Sequence, residues 1–314
     1  MDGSVSSRRQ KTGRLLPGSV KEEELMEGRK ITGHTGLICL LGSPVAHSIS
    51  PAMHNEAFAF HGLDYVYLAF DVLPERFEQA VDGLTAVGAG GWNCTMPHKR
   101  RMYERADVLS EEAELIGAVN TVVQKDGILT GYNTDGRGYM MAVRDAGHEI
   151  IGEKMTLLGS GGAAASILAQ AALDGVAKID LIARKGNSWN AIREVADRVS
   201  RRTDCLIQMH ELRDLVQMRK SIQESRILVN ASSVGMSPQE EGCLLPDAGY
   251  LHPDLIVSDV IYQPGRTRLL KMAEQAGCAV FNGMYMLLYQ GACAFELWTG
   301  KQMPVEVIRE KYFG

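Results

Sequence analysis

Met155-Thr156-Leu157-Leu158-Gly159-Ser160-Gly161-Gly162-Ala163-Ala164 is an apolar run that breaks into glycines and resumes as an alanine-rich segment. It reads as a strand over 155–158, a turn fitting G-x-G-x-x-G/A, and a helix over 163–173. Gly159 permits the tight turn, Gly161 lets the backbone approach a pyrophosphate, and Ala164 keeps helix and strand close. The helix start offers unpaired N–H donors to phosphate oxygens. Gly159, Ser160, Gly161, Gly162 and Ala163 are therefore the expected dinucleotide contacts, and the fold they belong to is α/β.

The pattern extends in both directions. Downstream, strands are expected over 179–183, 206–209, 227–230, 255–260 and 279–281, separated by helices over 190–201, 212–223 and 267–275. Such a rhythm with short connections means a parallel, doubly wound sheet with right-handed crossovers. Upstream, strands over 37–41, 65–70, 91–95, 120–124 and 128–132 alternate with helices over 50–61, 75–87, 99–105 and 110–116. Lys125-Asp126-Gly127 marks the hairpin between the last two strands. A helix over 135–146 bridges the two series. Helices over 283–298 and 304–313 follow a sheet already complete and are expected to return to the first series. Two α/β domains result: a substrate domain made from 34–134 with 283–314, and a Rossmann-type domain over 135–282. Residues 1–33 read as a mobile N-terminal extension with a short helix around 22–26.

Composition bounds the partners. The chain has 314 residues, 45% of them hydrophobic, and a formal net charge of -5. That length and apolar content support two cores, and the charge gives no attraction to nucleic acid or an anionic membrane. The richest apolar stretch, 283–298, is interrupted by Gln290 and Glu296, so no membrane span is expected. Arg8-Arg9 is not followed by an apolar run, which argues against a secretion signal. The six cysteines are scattered, the pattern of reduced thiols in a cytoplasmic protein. His47, His54 and His61 recur every seven residues, but no H-E-x-x-H pattern accompanies them. They read as helix-face histidines, and no metal is expected.

Chemistry enters with two runs, Asn93-Cys94-Thr95-Met96-Pro97-His98-Lys99 and Gly131-Tyr132-Asn133-Thr134-Asp135-Gly136. Each offers one ionisable side chain, Lys99 and Asp135, beside a residue that constrains the backbone. A lysine–aspartate pair beside a dinucleotide is equipment for moving a proton and a hydride. At the end of the strand over 179–183, where an NAD site carries an acid, stand Arg184 and Lys185. Two cations there suit a 2′-phosphate, so NADP is favoured over NAD.

With Ser48-Ile49-Ser50-Pro51, Gly117-Ala118-Val119-Asn120-Thr121 and the run 283–291, these motifs make the chain resemble the shikimate dehydrogenase family from about Gly36 onward. The resemblance is closest to the quinate/shikimate dehydrogenase branch. It implies reversible NAD(P)-dependent oxidation of the C3 hydroxyl of shikimate, with action on quinate as the alternative. A metabolite-sensing protein on the same scaffold is a third reading, which intact Lys99 and Asp135 oppose. Ser48 and Ser50 would meet the substrate carboxylate at a helix start, where Ser50 also serves as an N-cap. Thr95, Asn120 and Gln290 suit ring hydroxyls, and Tyr262 would line the cleft. Gly283 is assigned to the cofactor side, near a position where Tyr285 replaces a frequent glycine of the family. Ala183, Lys185 and Gly186 also depart from the Asn, Arg and acid of the branch, which favours NADP. Lys99 is expected as proton acceptor or electrostatic stabiliser, because a free lysine with a pKa near ~10.4 is a weak base at neutral pH unless burial lowers it. Asp135 would be its partner, binding and orienting the substrate hydroxyls. The expected partners are a small-molecule substrate and, as an open assembly, a second copy of the chain in a homodimer.

Overall fold

The structure, a computed structural model, describes residues 30–313; the helix expected around residues 22–26 lies outside the described residues. A first mixed sheet has the order β2-β1-β3-β5-β6-β4. Its strands are β1 (Gly36–Gly42), β2 (Tyr65–Asp71), β3 (Gly91–Cys94), β4 (Val108–Leu109), β5 (Thr121–Lys125) and β6 (Ile128–Tyr132). The helices among them are α1 (Ser50–Phe60), α2 (Phe77–Ala86), α3 (Lys99–Arg105) and α4 (Glu111–Ile116). The β5–β6 hairpin turns at Asp126 and Gly127, with φ of 52° and 80°, the left-handed pair that a tight antiparallel turn requires.

Helix α5 (Asp135–Asp145) leads into the second sheet: β7 (Lys154–Leu158), β8 (Lys178–Ala183), β9 (Leu206–Glu211), β10 (Ile227–Asn230), β11 (Ile256–Asp259) and β12 (Ala279–Asn282). Its order, β12-β11-β10-β7-β8-β9, is all parallel. It is the doubly wound order whose reversal, here between β7 and β10, opens a ligand crevice at the strands' carboxyl ends. Helices α6 (Gly162–Leu173), α7 (Trp189–Arg202), α8 (Leu215–Gln223) and α9 (Arg268–Gln275) cover it. Finally α10 (Met284–Thr299) and α11 (Val305–Tyr312) pack on the first sheet. Leu288, Ala292, Phe295, Ile308 and Phe313 share one core there with Ile38, Met53, Phe58 and Tyr67.

Two expectations change. Ser50 does not cap α1: it lies inside the helix, and the N-cap position falls to Ile49. The Ser48 hydroxyl instead accepts the Ser50 N–H at 3.3 Å. The helix expected over 75–87 is divided into a short 3₁₀ turn at Pro74–Arg76 followed by α2, since proline fixes the first residue of the turn. The two-residue strand β4 is too short to show any alternation in the sequence.

His54 is fully buried, stacked on Tyr67 with centroids 4.5 Å apart and edge-on to Trp298 at 5.2 Å. Burial holds its imidazole pKa down to about 3. A base whose folded pKa is depressed contributes stability above its unfolded pKa and loses it as pH falls toward the folded one. Between pH 6.5 and about 3, this residue should therefore remove roughly 1.4 kcal/mol per pH unit. Urea unfolding of His54→Leu over this window should show a shallower loss with acid than wild type. An unchanged slope would mean that His54 is already protonated in the fold.

Candidate active site

Each side chain of the pair is placed by a short local device. After β3, Thr95 donates its N–H to Leu41 O at 2.9 Å and its carbonyl accepts the His98 N–H at 2.8 Å. His98 is buried, stacked on Phe77 at 4.6 Å, with Nε2 2.7 Å from Val72 O. This anchors the turn from which Lys99 starts α3. Asp135 opens α5 after β6, with its own N–H donated to Asn133 Oδ1 at 3.2 Å.

The two meet. Lys99 Nζ donates to Asp135 Oδ2 at 2.5 Å, with side chains 29% and 13% exposed. Asn120 Nδ2 donates to the other carboxylate oxygen, Oδ1, at 2.7 Å, and to Thr134 Oγ1 at 3.0 Å. Asn120 Oδ1 accepts the Thr134 N–H at 2.9 Å. Behind Asn120, Asn93 Nδ2 donates to its carbonyl at 3.0 Å, and the Tyr67 hydroxyl donates to Asn93 Oδ1 at 2.7 Å. Burial pushes the Tyr67 phenol well above its usual range. A polar chain thus runs from Tyr67 through Asn93 and Asn120 to the ion pair. Asn93 and Tyr67 carry no role in the sequence reading. The signal at Asn93 was a polar residue in a strand whose neighbours are all buried.

Close helix crossings set α5 against the nucleotide turn. A Cβ on Gly136 would collide with the Ser166 carbonyl of α6, and one on Gly138 would lie 2.5 Å from Gln290 N of α10. Asn133 ties the same crossing, accepting from Ser166 Oγ at 3.2 Å and donating to Ala118 O at 3.0 Å.

A cleft of about 1020 Å³ lies at the carboxyl ends of the second sheet. Gly159, Ser160, Gly161, Gly162, Ala163 and Arg184 line it, joined by His47 and Tyr262. Gly159 adopts φ +132°, and a Cβ there would meet Ala231 O at 2.7 Å. Helix α6 starts at N-cap Gly161 without a side-chain cap. The segment 231–234 after β10 also lines the cleft; the sequence reading assigned it no role. Buried Asp259 braces the far wall, with Oδ1 accepting from Asn230 Nδ2 and Ile261 N, both at 3.0 Å, and Oδ2 accepting from Thr267 Oγ1 at 2.8 Å. Burial raises its carboxyl pKa.

Two expected cofactor contacts lie outside the cleft lining. Lys185 does not line the cleft: its Nζ pairs with Glu211 at 3.2 Å and lies 5.9 Å from the Trp189 ring. Register explains this, because Ala183 of β8 aligns with Glu211 of β9, so an acid arrives from the next strand. Gly283 caps α10 outside the cleft lining, where a Cβ would collide with Val260 O. Gln290 donates to Leu287 O of its own helix at 3.0 Å. The Thr95 methyl packs over Gly42. Among the regularly spaced histidines, His61 Nε2 lies 2.8 Å from Gln302 O and His47 reaches the cleft.

Comparison with known proteins fits this geometry. The family model of the shikimate dehydrogenase substrate binding domain matches residues 40–122, and that of the shikimate 5′-dehydrogenase C-terminal domain matches residues 283–311. A shikimate dehydrogenase (NADP(+)) of Listeria monocytogenes is 52% identical over 284 residues, covering 90% of this chain and 98% of the relative. The chain belongs to the shikimate dehydrogenase family. An Alkaliphilus metalliredigens shikimate dehydrogenase (NADP(+)) is 43% identical, with 89% and 97% covered. The solved Listeria monocytogenes shikimate 5-dehydrogenase, in complex with shikimate and NAD, superposes with TM-score 0.88 at 52% identity, covering 90% of this chain and 98% of that one. Quinate dehydrogenase from Corynebacterium glutamicum, in complex with NAD, gives 0.79 at 29% identity, with 89% and 99% covered. Among the described residues, no helix is long and apolar enough to cross a membrane.

The crossing at Gly136 has a measurable consequence. An exposed helical glycine usually gains up to about 1 kcal/mol on replacement by alanine. Gly136→Ala should instead cost roughly 1–3 kcal/mol in urea unfolding, because the new methyl meets backbone that cannot yield. Unchanged or raised stability would show that α5 and α6 are not locked there.

Proposed function

We propose that the chain oxidises the C3 hydroxyl of shikimate to 3-dehydroshikimate, reversibly and with NADP, using Lys99 and Asp135 as the catalytic pair. The observation that carries the reading is the 2.5 Å ion pair with Asn120 on its second carboxylate oxygen. The 52% identity to a shikimate dehydrogenase, against 29% to a quinate dehydrogenase, supports shikimate as the substrate. The substrate lobe is 34–134 with 283–314, and the cofactor lobe is 135–282.

The cleft fits a dinucleotide. Side chains added to Gly161 or Gly162 would project into open space, and the α6 N-terminus directs backbone donors where a pyrophosphate can accept them. Arg184, which lines the cleft, would meet a 2′-phosphate, while Lys185 is engaged by Glu211. When bound, NADP supplies the hydride acceptor. The protein's own residues handle the proton and the geometry. An ammonium has three donors, and Asp135 takes one of Lys99's, leaving others for the substrate hydroxyl. As C3 gives up its hydride, the hydroxyl proton passes to Lys99 in its amine form; in the reverse direction the ammonium stabilises the negative charge on the oxygen and returns that proton. Asp135 fixes the direction of that ammonium, and Asn120 fixes Asp135. Ser48 and Ser50 at the start of α1 bind the carboxylate; Thr95, Gln290 and Tyr262 complete the ring's surroundings. A sensor without chemistry would have no need of an ion pair aligned by a third side chain.

Lys99→Ala should lower kcat for shikimate oxidation by roughly 10²–10⁴-fold while NADP still binds, read by steady-state rates and cofactor titration. Wild-type turnover in that variant refutes the assignment.

A further inference from the structure

We infer that Arg198, on α7 of the cofactor lobe, is a positioning residue for the Lys99–Asp135 pair; the inference rests on the reading of that pair as catalytic. Arg198 Nε donates to Leu115 O at 2.9 Å and Nη2 to Ile116 O at 3.4 Å. These are terminal carbonyls of α4, which its own hydrogen-bond ladder leaves unpaired and where the helix dipole is negative. A guanidinium satisfies both demands at once.

The segment released by α4 carries the site. Gly117, at φ 74°, turns the chain in the left-handed region, and a Cβ there would lie 3.4 Å from Arg198 Nη2. The next three residues each hold part of the pair. Ala118 O accepts from Asn133, whose Oδ1 receives the Asp135 N–H. The Val119 N–H donates to Lys99 O at 2.9 Å. Asn120 binds Asp135. Arg198 therefore fixes the base of the strip from which the lysine, the aspartate and their orienting amide are all held, and does so from the lobe that binds the cofactor. One turn away on the same helix, Arg202 Nε pairs with Glu111 Oε1 at 2.8 Å at the other end of α4. That pair is more than half exposed overall, at 64% and 50%, so it contributes little and serves as an internal control.

The test is steady-state kinetics of R198A, R198K and R202A with shikimate and NADP, alongside thermal unfolding. R198A should lose about 10- to 100-fold in kcat, the scale of a small misplacement of reacting groups, with KM for NADP within about twofold and the protein folded at the assay temperature. R198K, which keeps a cation able to reach a carbonyl, should recover most of the rate, and R202A should match wild type. Wild-type kcat in R198A, a loss shared equally by R202A, or a loss that follows only the unfolded fraction would each overturn the inference. Normal R198A with inactive K99A removes this inference alone, whereas normal K99A removes the catalytic reading beneath it.

Discussion

The ion pair between Lys99 and Asp135 is the constraint around which the two sheets are arranged. A partly buried pair loses more in desolvation than it regains unless its remaining lone pairs are satisfied. Here the second carboxylate oxygen is occupied by Asn120, and the aspartate's own N–H is held by Asn133. The lysine comes from the helix after β3 and the aspartate from the helix after β6. The pair therefore forms only if the first sheet closes in register, with Asn93 opposite Thr121 and Thr121 opposite Tyr132.

The same aspartate begins α5, the helix that packs on α6 beside the second sheet. Because Gly136 and Gly138 present no side chain, α5 lies against α6 and α10 at backbone distance. The glycine turn at 159–162 precedes α6 directly, so the pair and the nucleotide turn share one rigid crossing. Interiors packed to this density transmit small displacements rather than absorbing them. A change at the crossing should therefore be felt at the site.

Much of this was legible beforehand. The parallel, doubly wound character of the second sheet follows from a strand, turn and helix at 155–173 and from the alternation after it, since parallel strands buried on both faces read as continuous apolar runs. Lys99, Asp135 and Asn120 were named, and the structure brings them together. What escaped reading depends on register between strands distant in sequence. Glu211 reaches Lys185 because β8 and β9 align Ala183 with Glu211, and no local pattern carries that information. Asn93 and Tyr67 looked like ordinary strand residues until pairing placed them behind Asn120. Ser50 failed as a cap because the helix begins one residue earlier than its proline implied.

The proposed chemistry needs an amine and a carboxylate that act as one unit. A double-mutant cycle on kcat/KM for shikimate with NADP, using K99A, D135N and the double variant, measures this directly. If the pair acts as one unit, the losses are strongly non-additive, with the double variant losing little more than the worse single one. Losses that multiply would show two independent residues and contradict it.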